Sequence, residues 1–578
     1  MSETGSSRIS RIDQWLPGIA HARAYRRAWL SKDIVAGLVL IALLVPQGMA
    51  YAELAGLPPV NGLYASMVPL IAYALLGPSR ILVLAPDSAI APMVAAAVIP
   101  LAGGDMSERV AIAGFLAVMV GVICLAGAAL GAGFLTDLIS RPVRLGYLAG
   151  IALTVIVSQI PTMLGIDGGG DRLIPAIQTM ARNLGDFGTD TVSIGMFCLL
   201  LLLGLKRFAP LLPAALVVVV GAIAVNRLAH LDVDVVGSLP SGLPNLIIPQ
   251  PGSASIDQLV LAALAISVIA FADTSILSRS YARRLHDDVD SNQELRALGG
   301  ANLAAGFFQG FPISSSSSRT PVAEQAGAKT QLTGIVGAVG LGIVLLFFSG
   351  VFRELPNAAL AAILIGAAMG LVDLAEFRRL WTVHRPDFLL AIAAFLGVSV
   401  AGVLWGIGIA IMLSIAAFLW RSWHPHFAVL GRAPGVKGYH DITRYTDADQ
   451  VPGLLLFRFD APIFFANAEL FRDTVIRAVN DARDPVVRVV IAAEPITDLD
   501  STAADMLANL DRELADQGID LAFAELRDPM KDQLRTFGIV DQIGHEKFYL
   551  TLGLAVRTFV EETGVDWVDW EDRLPLSN

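Results

Sequence analysis

Polar and ionisable side chains inside long apolar runs are the groups of this chain that can do chemistry, because a charge at the bilayer midplane costs at least about 2.5–3.5 kcal/mol. Few positions pass that filter. In LLVPQGMAYAELAG (43–56), Pro46, Gln47 and Gly48 interrupt an apolar helix, and Gln47 and Tyr51 lie four apart on one helical face. In LAPDSAIAPMVA (84–95), Pro86, Asp87 and Ser88 break a span that resumes as a short helix. IAFADTSILSRS (269–280) sets Asp273 near the middle of a span, and GFPISSSSSRTPVAEQAG (310–327) places five serines, Ser314 to Ser318, just before Arg319. Hydroxyls, free backbone amides at helix starts and a fixed guanidinium are what an oxyanion needs when it gives up its water. Asp87 and Asp273 would repel such an anion, so each is expected to bind a proton or another cation during a cycle, or to pair with Arg319 when the site is empty. A serine run is also a common linker, but one between apolar segments must still satisfy its backbone.

The elements that position these residues are membrane helices. Of 578 residues, 55% are hydrophobic and 16% charged, with a mean hydropathy of +0.63, which describes a polytopic membrane protein. Apolar stretches recur at about 33–52, 62–77, 108–132, 143–163, 190–208, 211–228, 257–280, 330–352, 356–372, 386–402 and 403–421, with shorter or broken pieces at 82–100, 295–311 and 314–328. These make 14 segments, so both termini fall on one side. Arg80, Arg141 with Arg144, Lys206 with Arg207, Arg279 with Arg283 and Arg284, and Arg378 with Arg379 and Arg385 all lie in loops on the side of the N-terminus. That asymmetry makes both termini cytoplasmic in a cytoplasmic, multi-pass membrane. Gln47 to Ser88 is 41 residues and Asp273 to Ser316 is 43. Two polar-marked spans, each followed by a broken one, imply two related halves of seven segments, which, seven being odd, lie inverted with substrate near the midplane.

The net charge of −11 belongs to the tail: residues 431–578 hold 15 Lys/Arg against 27 Asp/Glu, a net of −12, and the first 430 residues carry +1. No basic patch supports nucleic-acid binding. Cys124 and Cys198 sit in apolar runs, and His424 with His426 reads as a connector, so no metal or cofactor is expected. Strands and helices alternate from 453 onward, with 453–467 as a strand pair or a strand and turn, 486–494 and 521–526 as strands, and 501–517, 528–537 and 549–562 as helices. This is a small α/β domain. The expected divisions are an N-terminal segment 1–32, a membrane domain 33–422, a linker 423–450, the α/β domain 451–565 and a tail 566–578.

Four stretches, VPQGMAYAELAGLPPVNGLYAS (45–66), LGPSRILVLAPDSA (76–89), ANLAAGFFQGFPISSSSSRT (301–320) and GAKTQLTG (327–334), resemble the SulP family of anion permeases, and the C-terminal part is similar to a STAS domain. The resemblance implies two inverted repeats of seven segments, a core domain moving against a gate domain, a homodimer, and a cytoplasmic STAS domain. Carried over by motif, the substrate site falls on Gln47, Tyr51, Ser88, Ser316, Ser317, Ser318 and Arg319, with Asp87 and Asp273 as coupling-ion residues. Some proton-coupled relatives have Glu in place of Gln47, which moves the proton role to Asp87. DLDSTAADML (498–507) is similar to a loop phosphorylated on serine in soluble relatives, which would make Ser501 the acceptor; a helix N-cap is the simpler role.

The expected activity is transport, with no enzyme chemistry: a proton-coupled sulfate transporter. Alternatives are a sodium-coupled bicarbonate transporter, a dicarboxylate transporter for a substrate such as fumarate, or a membrane-anchored regulatory module acting through its STAS domain. No triad, metal cluster or nucleotide loop supports catalysis.

Overall fold

A computed structural model describes residues 16–134, 140–166, 173–183, 187–209, 212–252, 254–285 and 287–567. The first fifteen residues of the N-terminal segment and residues 568–578 of the tail lie outside it. The chain forms two compact units, Met1–Ile415 and Ala416–Asn578.

The first unit is helical. In chain order it holds α1 (Pro17–Arg23), α2 (Leu30–Leu54), α3 (Pro59–Leu76), β1 (Leu84–Ala85), α4 (Ala91–Leu101), α5 (Met106–Ala129), α6 (Arg141–Leu164), α7 (Leu173–Arg182), α8 (Thr189–Phe208), α9 (Ala214–Ala229), α10 (Ile256–Leu285) and α11 (Ser291–Phe307). It continues with β2 (Ser314–Ser315), α12 (Arg319–Gln325), α13 (Leu332–Ile343), α14 (Asn357–Ala368), α15 (Leu374–Val383), α16 (Arg385–Ala401) and α17 (Val403–Trp423), the last running into the second unit. Every apolar stretch expected from the sequence overlaps a helix or a broken strand–helix segment. Among the described residues, nine helices are long and apolar enough to cross a membrane, and Ala91–Leu101 and Ala214–Ala229 are shorter apolar helices. The helices α7 and α15 lie in stretches expected to be loops; both carry a polar face, which hydropathy averages away.

Helices approach closely where glycine permits it. A Cβ on Gly62 of α3 would lie 1.8 Å from the Gly48 carbonyl oxygen of α2, and one on Gly146 of α6 would lie 2.0 Å from that of Ala391 in α16. Gly306 of α11 meets Gly114 of α5 in the same way, at 2.5 Å.

The broken segments meet each other. β1 and β2 pair antiparallel, Leu84 opposite Ser315 and Ala85 opposite Ser314, and each leads into a short helix, α4 or α12. Two inverted halves would meet in this way. Side chains satisfy the backbone that so short a ladder leaves over. Asn302 of α11 is fully buried; its amide donates to the Ile313 carbonyl (3.2 Å) and its oxygen accepts from the Ile313 N–H (2.9 Å). The Thr274 hydroxyl accepts from Ser315 N–H (3.2 Å) and the Thr320 hydroxyl from Val83 N–H (3.1 Å). The Gln331 amide donates to the carbonyls of Ser79 and Leu82, each at 2.9 Å. Asp33, buried at the start of α2, accepts from Lys329 N–H (2.6 Å), Thr330 N–H (3.1 Å) and the Thr330 hydroxyl (2.7 Å), and so fixes the turn before α13.

The second unit is a six-stranded sheet in the order β4-β3-β5-β6-β7-β8, with β3 (Phe427–Arg432), β4 (Tyr439–Asp441), β5 (Leu454–Phe459), β6 (Arg488–Ala492), β7 (Asp520–Ala524) and β8 (Phe548–Tyr549). β5 to β8 run parallel, and β3 is antiparallel to both its neighbours. All five residues of β6 are buried, as a central parallel strand covered on both faces requires. One face packs on α18 (Ala468–Asn480), α19 (Ser501–Asp516), α20 (Asp528–Thr536) and α21 (Ile539–Ile543), the other on α22 (Leu552–Thr563). The stretch 423–450, expected to be a linker, supplies β3 and β4. β4 is three residues long and β3 begins four residues after α17 ends, so neither stands out from the turn-rich sequence around it. Residues 453–467 hold the single strand β5 and a turn, and α18, whose apolar positions are spaced for a helix, follows. The N-cap of α19 is Asp500, whose carboxylate accepts from Ala503 N–H (2.8 Å); Ser501 is the first helical residue and is exposed.

Replacing Asn302 by Leu strands the N–H and carbonyl of Ile313 in an apolar interior. The expected cost is about 1–3 kcal/mol for each group, read as a lower Tm of the purified full chain in detergent. An unchanged Tm would show that the clamp is dispensable.

Candidate functional site

Val35, Val39, Leu43, Gln47 and Tyr51 recur every four residues on α2 and therefore share a face. That face lines a cavity of about 530 Å³. Asp87 and Ser88, in the turn between β1 and α4, and Ser317 and Ser318, between β2 and α12, line it too. The far wall comes from Leu202 and Lys206 of α8 and from Ile363 and Gly366 of α14. Six of the nine residues expected to bind substrate or coupling ion, Gln47, Tyr51, Asp87, Ser88, Ser317 and Ser318, thus border one space.

Arg319 does not border the cavity and lies behind the side formed by Tyr51 and the turn at Pro86. It is wholly buried, its Nη2 donates to the Pro86 carbonyl, and its guanidinium sits 5.8 Å from the centre of the Tyr51 ring. Nε and Nη1 have no hydrogen-bond partner and, among the described residues, no carboxylate forms an ion pair with this guanidinium, Asp87 included. A buried cation with two unspent donors calls for an acceptor that is not a fixed part of the protein.

The five serines divide their labour. Ser314 and Ser315 form β2. The Ser316 hydroxyl accepts from Arg319 N–H at 3.1 Å and lies 3.2 Å from the Ser318 hydroxyl, so Ser316 serves the turn and does not border the cavity. Ser317 and Ser318 are the two left to face it. Neither α4 nor α12 has a side-chain cap on its N-terminus, whereas α5, α11 and α19 are capped by Asp105, Asp290 and Asp500. Their first N–H groups are instead taken within the turns: Ala91 N–H by the Asp87 carbonyl (3.0 Å), Met93 N–H by the Ile90 carbonyl (3.0 Å), Arg319 N–H by the Ser316 hydroxyl and Thr320 N–H by the Ser316 carbonyl (3.2 Å), while Pro92 and Pro321 have none, so the donors that face the cavity are side-chain hydroxyls.

The two aspartates differ. The Asp87 carboxylate borders the cavity and accepts from Ala89 N–H at 3.2 Å. Asp273 does not border it. Its carboxylate pairs with Arg144 at 3.2 Å and accepts from the Tyr147 hydroxyl at 3.5 Å, both residues of α6. Sequence reasoning placed Arg144 in a cytoplasmic loop, and only the fold shows it in the first turn of α6 facing a carboxylate of α10. Lys206 was assigned to a loop in the same way. It lines the cavity, with Nζ donating to the Gly366 carbonyl at 2.8 Å; nothing in LLLGLKRF marks it except its place four residues after Leu202. No pair of adjacent basic residues at a span end tells which of the two turns inward.

Residues 30–394 match the family described as the sulfate permease family, and residues 445–555 match the STAS domain. The chain belongs to the sulfate permease family. A probable sulfate transporter of Mycobacterium tuberculosis is 41% identical over 548 residues, 94% of this chain and 98% of that one. The chloroplastic sulfate transporter 4.1 of Arabidopsis thaliana is 31% identical over 580 residues, covering 96% and 84% of the two chains. In fold, the chain resembles the murine solute carrier 26 family member A9 anion transporter in its inward-facing state, with a TM-score of 0.87 at 21% identity and 97% of each chain covered. The sulfate permease fold of a helical membrane unit and a STAS domain is therefore present entire, and the broken segments with their buried arginine lie inside the family's matched region.

The Arg144–Asp273 pair can be tested as a pair. The Arg144 side chain is 29% and that of Asp273 12% exposed, so removing either partner leaves a partly buried charge without its charge-assisted hydrogen bond, at an expected cost of about 1.5–3 kcal/mol, and Arg144→Leu and Asp273→Asn should each lower the Tm. The double variant should recover much of the loss; losses that simply add would mean the two are not coupled.

Proposed function

We propose that this sulfate permease family member is a secondary active transporter that carries sulfate across the cytoplasmic membrane by alternating access, with protons as the coupled cation and both termini cytoplasmic. The observation that carries this reading is the buried Arg319 with two free donors behind a cavity bordered by Ser88, Ser317, Ser318 and Asp87. The relatives named sulfate transporters support the substrate. The family resemblance supports a homodimer.

Charge decides the order of events. Lys206 and Arg319 bring two positive charges to the cavity and Asp87 one negative. A dianion about 4 Å from an ionised carboxylate would meet a repulsion of about 8 kcal/mol even at an effective dielectric of 20. Protonation of Asp87 removes that term and leaves a local charge of +2, matched to sulfate. Proton binding thus precedes or accompanies the anion, which is what symport requires. The anion then takes hydrogen bonds from the hydroxyls of Ser88, Ser317 and Ser318, and it draws the free donors of Arg319. Those residues share one paired unit, β1–α4 with β2–α12, whereas the far wall belongs to α8, α9 and α14. Sliding the first against the second opens the site to one side or the other.

The test is uptake of labelled sulfate into proteoliposomes under imposed gradients. Acid outside should drive uptake by the wild type. Arg319→Ala should lose about 30-fold or more, the equivalent of 2 kcal/mol or more, in a protein that still folds, at a Tm lowered by loss of the tie to the Pro86 carbonyl. Asp87→Asn should make uptake insensitive to the proton gradient. Wild-type uptake that ignores a pH gradient sinks the proton-coupled form, and stronger competition by bicarbonate or fumarate than by unlabelled sulfate sinks the substrate assignment.

A further inference from the structure

A second polar cavity, of about 210 Å³, lies at the other end of α2. Its one ionisable lining residue is Glu53, two residues beyond Tyr51. Two residues are about 200° of helix, so Glu53 faces away from the anion cavity. The wall opposite comes from α6, where Thr154, Ser158 and Thr162 follow at intervals of four with Gln159 beside them; Pro92, Ala95 and Ile99 of α4 close it.

Hydrogen-bond polarity identifies what fits. The Thr154 hydroxyl donates its hydrogen to the Gly150 carbonyl (3.0 Å) and that of Ser158 to the Val155 carbonyl (3.0 Å). What these two side chains can offer the cavity is lone pairs alone. Glu53 adds a carboxylate whose Oε2 is buried without a hydrogen-bond partner. The Gln159 amide and the Thr162 hydroxyl in the same wall can still donate, but Glu53, Thr154 and Ser158 set one anionic and two neutral acceptors around the space, which repels an anion and attracts a cation. A charged group close to this end of α2 is Arg109 of α5, whose Nη1 lies 3.8 Å from where a Cβ on Gly56 would stand. Arg109 does not line the cavity, and α4 and α6 present it no charged side chain.

We propose that this cavity binds one small monovalent cation, a proton or Na⁺, on Glu53, Thr154 and Ser158, at a site separate from Asp87 and Asp273. A proton would supply the hydrogen that the acceptors lack; Na⁺ would be held by the same oxygens. The site goes beyond the transport reading and does not rest on it, because its test uses no sulfate.

The experiment measures the Tm of the purified full chain in sulfate-free buffer. Sodium chloride is titrated against N-methylglucamine chloride at constant ionic strength, and pH is varied from about 5 to 8 without sodium. The wild type should show one of two responses that Glu53→Gln lacks. A Tm rising with the logarithm of sodium concentration identifies Na⁺. With no sodium response, a Tm that falls more steeply with rising pH than in Glu53→Gln identifies the proton, since the amide already carries a donor. If Glu53→Gln does not fold, Thr154→Val with Ser158→Ala removes two acceptors and keeps the carboxylate, and it should blunt the same response. Identical sodium and pH responses in the wild type and whichever variant folds overturn the proposal.

Discussion

Extended backbone buried at membrane depth has no water to bond to, and the rest of this structure follows from how that debt is met. β1 and β2 are two residues long each. A ladder that short pairs few groups, and Asn302, Thr274, Thr320, Gln331 and Asp33 take up those around it. Most of these residues are wholly or nearly wholly buried polar side chains in helices that are otherwise apolar, which is costly unless each has its partner. Their partners are backbone groups of the broken segments, so the helices α2, α10, α11 and α13 are fixed to the site by the same bonds that make the site possible.

Within that frame Arg319 has two duties. One nitrogen ties α12 to the Pro86 carbonyl, joining the second broken segment to the first, while two others remain unspent. A cation used only structurally would be satisfied, and one used only for ligand would not bridge the two halves. The Tyr51 ring beside it supplies a π face without adding a fixed negative charge, so the guanidinium keeps its full charge for an anion.

Much of this was legible in the sequence because it is carried by contrast. Pro, Ser and Asp inside apolar runs stand out, and the near-equal spacing of Gln47 to Ser88 and Asp273 to Ser316 pointed to the two segments that meet as β1 and β2. What was hidden depends on rotation and on pairing across the fold. Arg144 and Lys206 sit at span ends, where a basic residue more often snorkels to the interface than turns inward, and only the ion pair from α6 to Asp273 of α10 and the packing of α8 against α14 show that these two do not. The serine run pointed to the right place, but the extended backbone gives successive residues different jobs, so Ser316 turned to the chain and Ser317 and Ser318 to the cavity. The strands of 423–450 were lost because β4 is a three-residue edge strand and β3 follows so closely on the apolar α17 that its own apolar residues do not stand apart. Asp500 and Ser501 are both good caps, and which one serves is decided by where the helix starts.

The placement of charge also argues for how selectivity arises. Arg319 lies behind its wall, Asp87 and Lys206 border the cavity, and on the proposed reading the groups nearest a ligand are the hydroxyls of Ser88, Ser317 and Ser318. Hydroxyls rotate and carry no net charge, so this inner layer would fit several oxyanions of similar size. Discrimination must then come mainly from the balance of formal charge, in which the protonation state of Asp87 sets whether the cavity matches a dianion or a monoanion. On the proposed reading, a site built this way would couple substrate choice to cation binding by electrostatics: changing the charge at position 87 would change which anion is matched while the hydroxyl contacts stay as they are.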